Sequence, residues 1–171
     1  QRLWTQALAL FRPDTYRPVN VGEDESRAWI AVLKAMSSGD AAAKRNAARL
    51  LAALPARPSS ASNPPHLVYS PGDQIGMLAI LGANDEAFAG AAAYLQKDSL
   101  ADSSFLFWPG LAAFRRDKRF WPFVTSIGLV DYWRATGKWP DFCSESGLPY
   151  DCKADAAKPG LGRPTAPAPG R

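Results

Sequence analysis

The chain has 171 residues, 47% hydrophobic and 21% charged, the balance of an ordinary globular domain rather than a disordered, collagenous or disulfide-dense one. A globule of this length buries roughly 70% of its extended surface, enough for a sizeable core. Twenty Lys+Arg against sixteen Asp+Glu leave a net charge of +4, a thin excess with none of the clustered basic face that nucleic acid requires. No direct nucleic-acid contact is therefore expected, and no eighteen-residue apolar run offers a membrane span.

No signal peptide is recognisable. The chain starts at Gln1 rather than Met, with a helical pattern already under way, which reads as a fragment or processed product. Thirty alanines and few β-branched residues favour helix throughout. The first helix is predicted over Gln1 to Phe11, ended before Pro13, with an irregular connector to Gly22. Asp24 is expected to cap a helix over 24–37, with Trp29, Ile30, Leu33 and Met36 on one stripe. Gly39 stops it, and Asp40 caps a helix over 41–54 that Pro55 ends. The Pro/Ser stretch at 55–70 has no periodic apolar face and reads as a surface loop. Ser70-Pro71-Gly72-Asp73 is a strong helix start, with a capping hydroxyl, Pro in the first turn and an early carboxylate. That helix runs to about Leu81 and ends at Gly82; Asn84 is expected to cap the next, from Asp85 to about Lys97.

These two helix pairs share a register. Leu33, Asp40 and Leu50 match Leu78, Asp85 and Leu95 at an offset of 45, and Ile30, Met36 and Ala48 match Ile75, Leu81 and Ala93. A helix–turn–helix unit of about 34 residues in tandem is the tetratricopeptide pattern, and the Pro/Ser loop accounts for the longer spacing as an insertion. Gly82-x-x-Asp85-x-Ala87 resembles the turn of that repeat, although the Trp-x-x-Leu-Gly of its first helix is missing. The expected fold is all-α: tetratricopeptide-like helical-hairpin repeats (an α-solenoid) over 23–98. A generic antiparallel bundle is the alternative.

The C-terminal third is different in kind. It is dense in Phe, Trp and Leu, and reads as an aromatic capping segment over 99–155. A helix from Lys118 to Ile127 tolerates Pro122 in its first turn; Gly128 breaks it, and Leu129 to Thr136 forms one more, ended by Gly137. The Pro/Gly/Ala-rich segment 156–171 reads as a flexible tail. Arg116-Asp117-x-Arg119-Phe120, Gly128-Leu129-x-x-Tyr132-Trp133 and Trp139-Pro140-Asp141-Phe142-Cys143 resemble the closing segment of tetratricopeptide-like regions in bacterial signalling proteins. In that family such regions commonly follow a winged-helix DNA-binding or nucleotidyl-cyclase domain, often with a membrane span between. The resemblance covers residues 105–152 and implies context rather than an activity.

Few residues are placed for chemistry. His66, the single histidine, lies beside Pro64-Pro65 in the loop with no motif neighbour, and a surface or capping role explains it. One His and two Cys fall short of the four ligands of a structural zinc site, and there is no phosphate-binding loop, dinucleotide fingerprint or zincin motif. No catalytic, cofactor-binding or metal residue is therefore expected. The carboxylates Glu23-Asp24-Glu25 and Asp85-Glu86 sit at helix starts, where the macrodipole accounts for them. The basic run Arg115, Arg116, Lys118 and Arg119 reads as a solvated turn; an anion site is the sharper alternative. Trp108, Phe114, Phe120, Trp121, Phe123, Tyr132 and Trp133 recur at helical spacings that make most of them core.

Cys143 and Cys152 are too far apart for CxxC redox chemistry. A structural disulfide is the better reading, clipping the exit segment after the last helix, and disulfides persist in oxidising compartments. This favours the periplasmic side of a bacterial inner membrane over the cytoplasm. The functional expectation is a non-catalytic helical-repeat interaction or sensor domain of a larger signalling protein. A protein or peptide partner, or a small effector, would dock on the concave face lined by 24–37 and 71–82, where Arg27, Lys34, Asp73 and Gln74 point outward. The alternative is a small all-helical enzyme or ligand-binding domain using an aromatic C-terminal pocket, which would need a titratable cluster inside it.

Overall fold

The computed structural model describes residues 22–55, 70–97 and 102–158, together with Leu3 and Gln6, both helical. The rest of the expected N-terminal helix, the Pro/Ser loop with His66, and residues 159–171 lie outside the described residues. Among those described there are eight α-helices and no strand: α1 (Glu23–Ser38), α2 (Ala41–Ala52), α3 (Pro71–Ile80), α4 (Asn84–Lys97), α5 (Ala112–Arg115), α6 (Phe120–Ser126), α7 (Leu129–Thr136) and α8 (Cys152–Ala156). The chain divides into two compact units, Gln1–Phe105 and Leu106–Arg171. The boundary falls inside the 3₁₀ turn Ser104–Phe107, later than the expected start of the capping segment at 99.

The first unit is built from helix hairpins. Gly39 closes α1 at φ +73°, its N–H bonded to the Ala35 carbonyl at 2.9 Å, a left-handed position that glycine takes without a Cβ penalty. Asp40 then caps α2, its carboxylate accepting from the Ala43 N–H at 2.6 Å. A two-residue link leaves α2 no course but back along α1, and the two pack together. The buried faces are rich in small residues: Ala28, Val32 and Ala35 on α1, beside Glu25 and Leu33, and Ala47 and Ala48 on α2, beside Leu51. Such residues let helix axes approach closely. The expected stripe shifts accordingly, since Leu33 is buried but Trp29, Ile30 and Met36 are only partly so.

The second hairpin starts at the predicted helix start, where Ser70 and Asp73 form a capping box. The Ser70 hydroxyl accepts from the Asp73 N–H at 3.1 Å, and the Asp73 carboxylate accepts from the Ser70 N–H at 2.5 Å, satisfying two helix-end donors reciprocally. Gly82, at φ +84°, turns the chain into α4. Close approach of α3 and α4 depends on Gly90, where a Cβ would meet Ile75 Cγ1 at 3.2 Å. The Gln74 side-chain amide donates to the Leu51 carbonyl at 2.8 Å, satisfying an end carbonyl of α2 and tying α3 to it.

Four local expectations are corrected. Asp24 does not cap α1: the cap position is Gly22, with no side-chain bond, and Asp24 lies in the first turn. Asn84 is the first residue of α4, and its buried Oδ1 has no hydrogen-bond partner among the described residues. The 45-residue register does not carry into the turns, because the left-handed glycines Gly39 and Gly82 stand 43 positions apart, as do the starts of α2 at Ala41 and α4 at Asn84. Ordered chain also continues past 155: Ala156 is buried and belongs to α8, a helix that follows the one over 129–136 expected to be the last.

Candidate functional site

The second unit concentrates the aromatic side chains of the described chain. Its helices are short because punctuation is dense. Gly128 and Gly137, at φ +85° and +69°, bound α7, and Pro122 sits in the first turn of α6, where no helical N–H is lost. The rings therefore converge from many short elements. Phe120 is fully buried, with ring centroids 5.8 Å from Phe114, 5.6 Å from Phe142 and 6.2 Å from Tyr150. Trp121 stacks on Tyr150 at 5.0 Å, and Trp133 meets Phe142 edge-on at 5.8 Å. These edge-to-face and offset geometries suit the ring quadrupole. Tyr132 departs from the core expectation: it is 56% exposed, while its neighbour Trp133 is buried. One residue along a helix is a turn of about 100°, so both cannot face inward.

The sharpest departure is Arg115. The basic run reads as solvated, yet Arg115 is 2% exposed. Its guanidinium reaches Glu145 through two parallel contacts, Nη2 to Oε1 at 2.5 Å and Nε to Oε2 at 3.3 Å. Nη1 donates to the carbonyls of Trp108 at 2.9 Å and Leu106 at 3.2 Å, and the cation lies 5.5 Å from the Phe142 ring centroid. A buried charge needs this degree of pairing. The other cations of the run are exposed. Arg116 Nε donates to the Ser146 carbonyl at 3.3 Å. Arg119 pairs with Asp117 at 2.7 Å, and its hydrogen bonds hold that carboxyl down at about 2.

Cys143 and Cys152 are bonded, with Cα atoms 5.8 Å apart, as expected. The Tyr150 hydroxyl donates to the Arg115 carbonyl at 3.0 Å, and burial pushes its phenol pKa well up. Asp151 caps α8 by accepting from the Lys153 and Ala154 N–H groups at 3.0 and 2.9 Å. Asp155 pairs with Lys158, which lowers its pKa. No group of three or more His, Cys, Asp or Glu side chains could hold a metal ion among the described residues, and none of the described helices is long and apolar enough to cross a membrane.

The four partner-binding candidates separate into two kinds. Arg27 and Lys34 are exposed on α1, seven residues apart and so on one face. Arg27 pairs with Asp24 at 3.1 Å, an i,i+3 contact open to solvent on both sides. Asp73 and Gln74 are partly buried and serve the fold, one in the capping box and the other on the end of α2. The sequence reading missed the Arg115–Glu145 pair. Its one available signal is periodicity: Arg115 is adjacent to Phe114 and four residues beyond Leu111, on the buried side of its turn.

Comparisons of the chain with protein-family models, with curated proteins and with solved structures give no significant match.

Proposed function

We propose that this chain is a non-catalytic helical interaction module of a larger bacterial signalling protein, built on tetratricopeptide-like hairpin stacking. It docks a protein or peptide partner on the face formed by the first helix of each hairpin. The observation that carries this reading is the outward face of α1, where Arg27 and Lys34 stand two turns apart and exposed. Arg27 has an ion pair worth little in water, so an acidic partner group can displace it at small cost. Serial packing of α1 on α2, α2 on α3 and α3 on α4 supports the stacking, because repeat proteins bury their core between neighbouring units. In the aromatic unit, Arg115, Glu145, Asp117 and Tyr150 are each engaged by internal partners, which weighs toward docking over turnover there. The Cys143–Cys152 bond supports an oxidising, periplasmic setting.

The test is site-specific photocrosslinking in cells. A crosslinker at Lys34 should give a discrete heavier species, and one at Arg45, exposed on α2, should not. Arg27→Glu should reduce the Lys34 adduct several-fold, and in a cell extract more strongly at low salt, where exposed charges are less screened. Equal crosslinking from both positions, or no effect of Arg27→Glu, would reject the face.

A further inference from the structure

The eight residues between the bonded cysteines hold three anchors, and all three end on one stretch of chain. The Glu145 carboxylate pairs with the Arg115 guanidinium, the Ser146 carbonyl accepts from Arg116, and the Tyr150 hydroxyl donates to the Arg115 carbonyl while its ring covers Trp121 and Phe120. The segment is otherwise poor in apolar side chains, with Leu148 only partly buried and Pro149 exposed. Its hold on Arg115 therefore depends on keeping Glu145 and Tyr150 in place together, which a covalent closure of the loop accomplishes by removing open-loop conformations.

The two cysteines differ in exposure: Cys152 is 3% exposed, whereas Cys143 is only partly buried. Beneath the segment, the helical part of the unit has contacts of its own, including Phe114 on Phe120 at 5.8 Å and Trp121 with Trp133 at 6.5 Å. Arg115 also retains the Leu106 and Trp108 carbonyls when Glu145 leaves, so its Nε and Nη2 become hydrated while the residue stays in place.

We propose that the Cys143–Cys152 bond is a redox-operated latch: a dithiol reductant opens it, segment 144–151 lifts away, and Arg115 with the Phe120 and Trp121 ring faces becomes accessible. One thiolate of the dithiol attacks the Sγ of Cys143, the more exposed residue of the pair, forming a mixed disulfide and breaking the Cys143–Cys152 bond. Cys152 leaves as a thiolate and takes up a proton. The second thiol of the dithiol then displaces Cys143, which leaves as a thiol. Two electrons and two protons pass from the dithiol to the protein, and the dithiol becomes a disulfide. A disulfide oxidant runs the sequence backward and relatches the segment.

Hydrogen–deuterium exchange on the whole 171-residue chain, oxidised and then reduced with dithiothreitol, tests this. Reduction should raise exchange of peptides covering 141–152 by tenfold or more, leave those covering 129–136 and 23–52 within twofold, and be reversed on reoxidation. The double variant Cys143→Ser/Cys152→Ser should give the same pattern without reductant. Unchanged exchange in 141–152 would overturn the proposal, because the anchors would then hold without the bond. Lost protection spreading into 129–136 in either experiment would also overturn it, because the bond would then be a staple for the whole unit.

Discussion

The two units hold themselves together by different means. In the first, long helices meet through alanine, valine and glycine, and the ends are closed by devices acting over three or four residues: Gly39, Asp40, the Ser70–Asp73 capping box and Gly82. In the second, helices of four to eight residues are too short to be stable alone. They are fixed by contacts between residues about thirty positions apart in sequence: Arg115 with Glu145, Tyr150 with Phe120 and Trp121, and Cys143 with Cys152 at closer range. Many small contacts make a structure tolerant of single losses. A few large ones make it cooperative, since removing one strands the others.

The largest test of that contrast is Phe120→Ala. Phe120 is fully buried against three other rings, and such truncations cost about 3–5 kcal/mol. Denaturant titration followed by tryptophan emission, with Trp108, Trp121, Trp133 and Trp139 all in the second unit, should show its transition moving as a block. A loss near 1 kcal/mol would mean that the rings do not share one cooperative core.

Next comes Glu145→Ala. Breaking a buried ion pair from one side costs about 3–5 kcal/mol, and the partial exposure of Glu145 places the expected loss near the lower end. Glu145→Gln keeps an acceptor for the guanidinium and should lose less than half as much. Equal losses in the two variants, measured in the same titration, would show that charge rather than hydrogen bonding dominates at this site.

In the first unit the effects should be smaller and local. Ser70→Ala removes one half of the capping box and should cost about 1 kcal/mol. Gly39→Ala meets no neighbouring atom within 4 Å, so only the left-handed backbone is penalised, by about 1–2 kcal/mol. Exchange measurements should place each loss in its own hairpin. Spread into both hairpins would indicate that the Gln74 link couples them more tightly than its hydrogen bond implies.

The smallest effect is the acid response of Asp117. Its pKa of about 2 in the folded chain lies below the ordinary 3.8, so its stabilising contribution is fully present above that ordinary value and is lost as pH falls toward about 2. The site is near the surface, so the contribution is modest. Asp117→Asn should flatten the fall in stability between pH 4 and pH 2 slightly, while leaving the protein near neutral pH weaker by the same small amount.

Much of the fold is readable before any coordinates. The ends of α2, α3 and α7, the glycine stops and the disulfide all follow from residues acting on their immediate neighbours. Several expectations moved for tertiary reasons. Trp29 and Met36 look like core on a helical wheel, but α2 brings alanines to the contact, and the interface closes on Ala28, Val32 and Ala35 instead. Gln74 looks like a surface polar group, but the end of a neighbouring helix claims it, whereas Asp73 is held locally, in the capping box of its own helix.

By itself, the sequence determined the all-helical class, the hairpin turns, the break in character ahead of the aromatic third and the pairing of Cys143 with Cys152. Each rests on a signal a few residues long: a cap, a positive-φ glycine, a composition shift, or two cysteines in a segment that can fold back. Only the tertiary structure decided that Arg115, in a run that reads as solvated, is buried beneath Glu145 and Phe142. A cation can be buried only where a carboxylate and carbonyls meet it. Those groups come from Leu106, Trp108 and Glu145, whose convergence on one point has no local signature in the chain.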